Sequence, residues 1–282
     1  MRADRPTRYA AFALLTFATL SAGLLAPAAL GAQAAAGPEP IKDNSFLVEE
    51  AYNQEAGVVQ HIGTFARARA GGWAASFTQE WPVRSIRHQL SATVPMQGIG
   101  EERGLGDVAL NYRLQLAGTQ GGAVAFAPRV SAVLPTGDAD RGHGAGAVGA
   151  QVNLPLSWQA TRSLVLHANA GAAWTPRAQA PDGGRASSRE LVAAQSIVWL
   201  AHPRLNLLVE GVWSASREPV ADGRTTRGES VTINPGVRWS HDLPGGLQVV
   251  PGVAVPIGVG PSRGERAVFF YLSFEHPFGR QS

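Results

Sequence analysis

The 282-residue sequence has no cysteine, so no disulfide holds it together even if it is exported. Lysine is nearly missing too; Lys42 is the only one. After the N-terminal region no segment offers 18 consecutive apolar residues, which excludes a spanning helix. No later segment is long and helically periodic, and 33 Gly with 19 Pro disfavour a helical bundle. The seven histidines are scattered, without the spacing of a metal site. There is no G-x-S-x-G, phosphate loop or dinucleotide fingerprint, so neither cofactor nor metal is expected. Ser240-His241 and Ser85/His88 are the nearest approach to a nucleophile and base. Neighbours in a strand point to opposite faces, so no catalytic residue is assigned.

The first 34 residues carry Arg2, Arg5 and Arg8, an apolar run from Ala10 to Ala26, and the small-residue exit Ala32-Gln33-Ala34. That order predicts a cleaved secretory signal peptide, residues 1–34. Its removal takes three of the 24 basic and one of the 21 acidic residues, leaving 21 against 20, a net of +1. Without a clustered basic face, nucleic acid is not an expected partner.

What is present is alternation. From Ala123 to Trp158, Val124, Phe126, Val130, Ala132 and Leu134, then Val148, Ala150, Val152, Leu154, Leu156 and Trp158, alternate with polar or small residues around a Gly/Asp/Arg loop. Period two marks a strand with one apolar and one polar face. The pattern continues from Val58 to Phe278 and predicts twelve strands. Most are 9 to 13 residues long, close to the ~9–11 that cross a bilayer and well above the ~5–6 of soluble domains. Connections after even-numbered strands are short (160–163, 201–204, 117–122, 241–246). Those after odd-numbered ones are longer and polar (97–104, 135–146, 176–189, 216–229), apart from a tight link after the first strand. Short turns on one rim and long loops on the other describe an outer-membrane barrel with both termini on the periplasmic side.

The expected fold is therefore all-β: a single closed antiparallel transmembrane β-barrel of about twelve strands in an up-and-down meander. Residues 1–34 form the signal, 35–56 a periplasmic lead-in, and 57–282 the barrel. A lipid bilayer demands closure, since every backbone donor and acceptor must pair within the protein. Trp73, Trp81, Trp158, Trp174, Trp199, Trp213 and Trp239 lie within strands, mostly near their ends, where indole rings favour the headgroup level. The inward polar residues proposed to meet a solute are Arg113, Arg129, Asn153, His167, Asn169, Glu210, Arg238 and Glu275. Each could equally hydrate or pair across a wet lumen. The lead-in is compatible with a short helix or an extended tail.

Three stretches carry a resemblance: Leu105-Gly106-Asp107, Leu134 to Asp138 (LPTGD), and the closing FYLSFEHPF from Phe270 to Phe278. With the lead-in DNSFLVEEAYNQE (Asp43 to Glu55), they resemble outer-membrane transporters related to the MetA-pathway phenol-degradation protein. The resemblance implies a channel for small apolar or aromatic solutes and supplies no catalytic residues. The Phe-rich last strand looks like the signal read by barrel-assembly machinery, although the chain continues four residues past Phe278. In physical terms Pro135-Thr136-Gly137-Asp138 is a turn; Asp138 and Asp140 supply too few oxygens for calcium. The sequence thus predicts a passive outer-membrane channel with lipid, assembly machinery and a small solute as partners. The alternatives are a barrel plugged by residues 35–54 with a structural role, and a lipid-modifying enzyme.

Overall fold

The computed structural model describes residues 41, 43–119, 122–181, 183–220 and 223–277. The signal segment, Lys42 and Phe278 lie outside the described residues. Among the described residues twelve strands form one ring. They are β1 (Val58–Ala68), β2 (Trp73–Val83), β3 (Ser85–Ile99), β4 (Glu102–Leu105 continued by Val108–Leu114), β5 (Val124–Phe126 and Arg129–Leu134) and β6 (Gly149–Asn153 and Leu156–Thr161). The second half comprises β7 (Leu164–Gln179), β8 (Arg185–His202), β9 (Leu205–Pro219), β10 (Thr225–Trp239), β11 (Leu247–Ala254 and Ile257–Gly258) and β12 (Ala267–Pro277). A short piece, His241–Leu243, extends the β10–β11 hairpin. Each strand pairs antiparallel with its neighbours in sequence, and β12 pairs with β1 from Val58↔Pro277 to Ala68↔Ala267. The barrel is closed, so no edge is left to satisfy in lipid.

Three of the four interrupted strands break at proline: Ala127-Pro128, Leu154-Pro155 and Val255-Pro256. Proline cannot donate to the ladder, but its carbonyl still accepts. Leu114 N–H bonds to Pro128 O (3.0 Å), Ala127 N–H to Pro155 O (3.2 Å) and Ala267 N–H to Pro256 O (3.1 Å), which rejoins the sheet beyond each break.

Alternation decides which face meets lipid. Leu110, Ile197 and Phe270 are 49%, 48% and 49% exposed on the outside, whereas Arg113, Glu210 and Arg238 are 2%, 0% and 1% exposed inside. Apolar side chains are exposed from Phe65 round to Leu272, far more than a water-facing surface carries. All seven tryptophans share this outer parity. Trp81, Trp158, Trp199 and Trp239 lie toward the rim that carries the chain ends, and Trp73, Trp174 and Trp213 toward the opposite rim. Trp174 pairs with Arg189, ten residues before Trp199 on β8. That is about 33 Å along a strand, or about 25 Å across a barrel tilted by about 40°, the height of an outer-membrane apolar band.

The loop pattern differs from expectation in a telling way. Residues 97–104, 176–189 and 216–229 are largely strand: Thr175↔Ser188, Gln179↔Arg185 and Pro219↔Thr225 all remain paired. Backbone pairing continues past the membrane whatever the side chains, so polar sequence there marks the end of lipid contact, not the end of the strand. Residues 135–148 are a true loop. The family-like motifs interlock at its base. Asp107 accepts from Gly137 N–H (2.9 Å) and Ala145 N–H (2.7 Å), while Thr136 Oγ1 accepts from Val108 N–H (2.8 Å). Asp138 and Asp140 are used locally, on Arg141 N–H and the Gln179 amide.

Candidate functional site

The described part of the lead-in, from Asp43 to Gln54, is inside the barrel. From Asp43 to Gln54 the chain is neither helix nor strand; it forms a finger that bends at Phe46–Val48 and returns to β1. The Asn44 carboxamide oxygen accepts from Glu50 N–H (3.1 Å), tying its two arms together. Asp43, Ser45, Phe46, Val48, Glu50, Ala51 and Asn53 are buried against the wall.

Irregular backbone is tolerated at membrane depth only if its polar groups are satisfied, and the wall satisfies this one residue by residue. At the tip, Leu47 and Val48 N–H both donate to Glu210 Oε1 (2.7 and 2.9 Å), and Asn234 donates to the other oxygen (2.6 Å). Asn169 accepts from Glu49 N–H (2.9 Å) and donates to Glu49 O (2.7 Å). Ala51 N–H donates to Ser157 Oγ (2.8 Å), which hydrogen-bonds His167 Nδ1 (2.8 Å). Asn53 and Gln54 N–H reach the Gln115 and Gln89 side chains (2.9 and 2.7 Å). Arg238 donates to the carbonyls of Asp43 and Asn44. The Asp43 carboxylate accepts from Tyr271 (2.6 Å), Gln60 (2.9 Å) and Ser273.

Arg113 is the hub. Its Nε donates to Asn53 Oδ1 (2.7 Å), its Nη1 to Glu49 (3.2 Å) and Glu50 O (3.3 Å), and its Nη2 to Tyr52 O, with Glu80 at 3.7 Å. Glu49 is held again by Arg129 Nε (3.0 and 3.1 Å) and Asn153 Nδ2 (2.7 Å). Burial alone would raise the Glu49 carboxyl, but Arg129, Arg113 and Asn153 together hold it below the usual carboxylate range.

All eight residues singled out from the sequence face inward, and seven touch the finger directly. Glu275 does so through the Gln54 amide (3.2 Å), and His167 acts through Ser157. Sequence reasoning passed over Gln60, Gln89, Gln115, Ser157, Tyr271 and Ser273. Their signal was the same inward parity, carried by uncharged groups. It also missed Asp43 and Glu49, which lie outside any strand and so outside any periodicity.

The finger has an apolar side as well. Phe46 packs with Ile62, Val198, Leu208, Ala254, Phe269 and Tyr271, its ring 5.7 Å from Phe269 and 5.5 Å from Tyr271. The far edge of the ring lies against Gly236 and Gly252, where any Cβ would collide with it. Gly252→Val should therefore displace the tip at a cost of about 1–3 kcal/mol. The expected readout is a rise in single-channel conductance that Phe46→Ala in the same chain reverses. A conductance unchanged by Gly252→Val would show that the ring is not wedged there.

Docking of the finger should depend on pH. Burial, then the charges of Asp43 and Glu275, push the Glu50 carboxyl up to about 8 against the opposing pull of Arg238 and Arg113. Released into water it returns to its ordinary 4.5. The docked state thus holds the proton more tightly; this contribution is complete below 4.5 and is lost as pH rises through about 8. Glu49 runs the other way, favouring docking above its ordinary 4.5 and losing that below it. Docking is expected to be tightest near pH 5, with cleavage of the finger by added protease rising by at least about tenfold toward pH 9. A flat cleavage profile counts against it.

Beyond the tip lies a cavity of about 390 Å³. Hydroxyls from β1 to β3 (Thr64, Ser76, Thr78, Ser91 and Thr93) line one side. Phe46, Leu47, Pro95 and Val133 supply apolar surface, and Glu49, Asn111 and Arg129 lie at its base.

Comparisons place this architecture. The fold matches the outer-membrane channel from Pseudomonas putida F1 at a TM-score of 0.61 and 11% identity, over 81% of this chain and 98% of that one. It matches the NanC porin at 0.50 and 10% identity, over 79% and 100%. At such identities the likeness is one of fold. No curated protein sequence matches the chain. A family profile described as the MetA-pathway of phenol degradation matches residues 41–259, taking in the finger and eleven of the strands. The chain is a closed β-barrel with the fold of outer-membrane channels, and it belongs to the MetA-pathway of phenol degradation family.

Proposed function

We propose that this barrel is a passive channel for small solutes, with apolar or aromatic compounds the class its lumen suits, and that it reaches the outer membrane by way of a cleaved signal peptide and the barrel-assembly machinery. One observation carries the reading: a cavity of about 390 Å³ with hydroxyls on one side and apolar surface on the other, floored by the finger tip. Its size falls within the ~300–1,000 Å³ of small-molecule sites, and its mixed lining suits a compact ring bearing a polar group. Transport is diffusion down a gradient, with lumen charges setting selectivity. Of the eight inward residues, Arg129 lines the cavity directly; the others meet a solute once the finger moves. The likeness of fold to outer-membrane channels supports a pore over a lipid-modifying enzyme.

The finger itself favours a second reading. Its peptide groups are so fully matched by the wall that the barrel could be a plugged structural element. Planar-bilayer conductance and liposome uptake of small aromatic solutes separate the two. Current and uptake are expected. Silence in both assays, from protein that shows heat-modifiable migration on gels, would sink the channel and leave the plug.

A further inference from the structure

The environment of the Glu49 side chain is a finished carboxylate site. Oε1 receives Arg113 Nη1 (3.2 Å) and Arg129 Nε (3.1 Å); Oε2 receives Arg129 Nε (3.0 Å) and Asn153 Nδ2 (2.7 Å). The donors divide over two oxygens, which suits a planar carboxylate. They project from three successive wall strands, β4, β5 and β6, so the donors are supplied by the barrel, although finger groups Asn53, Glu50 O and Tyr52 O help to orient Arg113. Arg113 is pinned by Asn53 and three finger or wall oxygens, and Arg129 by Asn111 Oδ1 (2.9 Å) and Ser131.

Charge balance gives the occupant's sign. With Glu49 in place, two guanidiniums face Glu49 and Glu80. With Glu49 withdrawn, Arg113 keeps Glu80 but Arg129 keeps only neutral partners, and the site is left with an excess positive charge. The Arg129 side chain is 21% exposed, and a cation so largely withdrawn from water favours an anion beside it, so the site holds its carboxylate until another arrives. It is also reachable, because Glu49, Arg129 and Asn111 all line the outer cavity, where Ile62, Pro95 and Val133 offer apolar cover.

We propose that Glu49 is a tethered stand-in for solute, and that the Arg129–Arg113–Asn153 site binds small monocarboxylates with an apolar body, whose arrival displaces Glu49 and loosens the finger. The channel reading is needed only for the route by which solute reaches the cavity. The displacement is reciprocal: whatever affinity Glu49 gives the docked finger, a solute carboxylate must overcome, and removing the Glu49 charge lets it bind more tightly.

The absence of native cysteine allows a clean reporter. Ala51, fully buried on the finger against Ala125 and Ala127, becomes reactive only when the finger leaves. In full-length Ala51→Cys protein, benzoate is expected to accelerate thiol labelling about tenfold over equal sodium chloride, while its neutral analogue benzyl alcohol does not. Calorimetry should show benzoate binding Glu49→Gln about tenfold more tightly than the unaltered chain, and Arg129→Gln abolishing both effects. Equal responses to benzoate and benzyl alcohol, or none to benzoate in Ala51→Cys, would overturn the proposal even if Glu49→Gln fails to fold. A benzoate response in protein that passes no current defeats the channel and keeps the site. Conductance of neutral solutes without that response does the reverse.

Discussion

Deletion of Asp43 to Gln54 will leave a closed barrel whose single-channel conductance rises about tenfold, since pore diameter governs flux once a constriction is removed. The barrel does not need the finger to close. Strand β1 pairs with β12 along its whole length and with β2 on the other side, and none of those ladder bonds involves the finger. What the deletion removes is the occupant of the lumen. Phe46 and Val48 fill its apolar side, and Asp43, Glu49 and Asn53 cross-link its polar side. The exposed wall then presents Gln60, Gln89, Asn111, Arg113 and Arg238, all groups that water solvates readily, so the cavity wets instead of collapsing. Heat-modifiable migration should persist, which separates an opened pore from a misfolded one. An unaltered conductance in correctly folded protein would show that the finger is not the constriction.

Arg113→Ala should release the finger without removing it. This side chain is 2% exposed and serves Asn53, Glu49, the carbonyls of Glu50 and Tyr52, and Glu80. Truncation leaves two carboxylates, two carbonyls and an amide oxygen short of a donor at once. Breaking a buried pair from one side costs about 3–5 kcal/mol, because the abandoned charge remains buried. Undocking offers relief, since the free finger can be hydrated. Docking should weaken by roughly two to three orders of magnitude, read as thiol labelling at Ala51→Cys or protease cleavage between β1 and residue 43. Arg113→Lys restores the charge but not the fork, and should recover only part of the protection. Labelling that stays slow in Arg113→Ala would mean the Phe46 wedge and the Glu210 cap hold the finger alone.

Much of the fold was legible in the residues. Period-two alternation by itself identifies inward and outward faces, which puts Arg113, Glu210 and Arg238 in the lumen and the tryptophans outside. Such patterns are local, set by a strand's own geometry and by the contrast between lipid and water. Loop lengths were less legible. Residues 176–189 and 216–229 look like loops because polar residues replace apolar ones there, yet they keep pairing. Side-chain polarity reports the surrounding medium, and backbone pairing is indifferent to it.

The finger marks the limit. Asp43 to Gln54 has no periodicity, so its composition fits a short helix, a tail or a plug alike. Its path is dictated by partners more than a hundred residues away, such as Glu210 for Leu47 and Val48, Asn169 for Glu49, and Arg238 for Asp43. The sequence by itself determined the two faces and the inward charges, because these follow from neighbours two residues apart, and strand length, loop asymmetry and the pairing that lipid demands pointed to a closed transmembrane barrel. Only the tertiary structure decided what those charges hold. Ring closure brings β4, β5 and β6 around one carboxylate, and long-range matching of donors to acceptors cannot be read from either end of the chain alone.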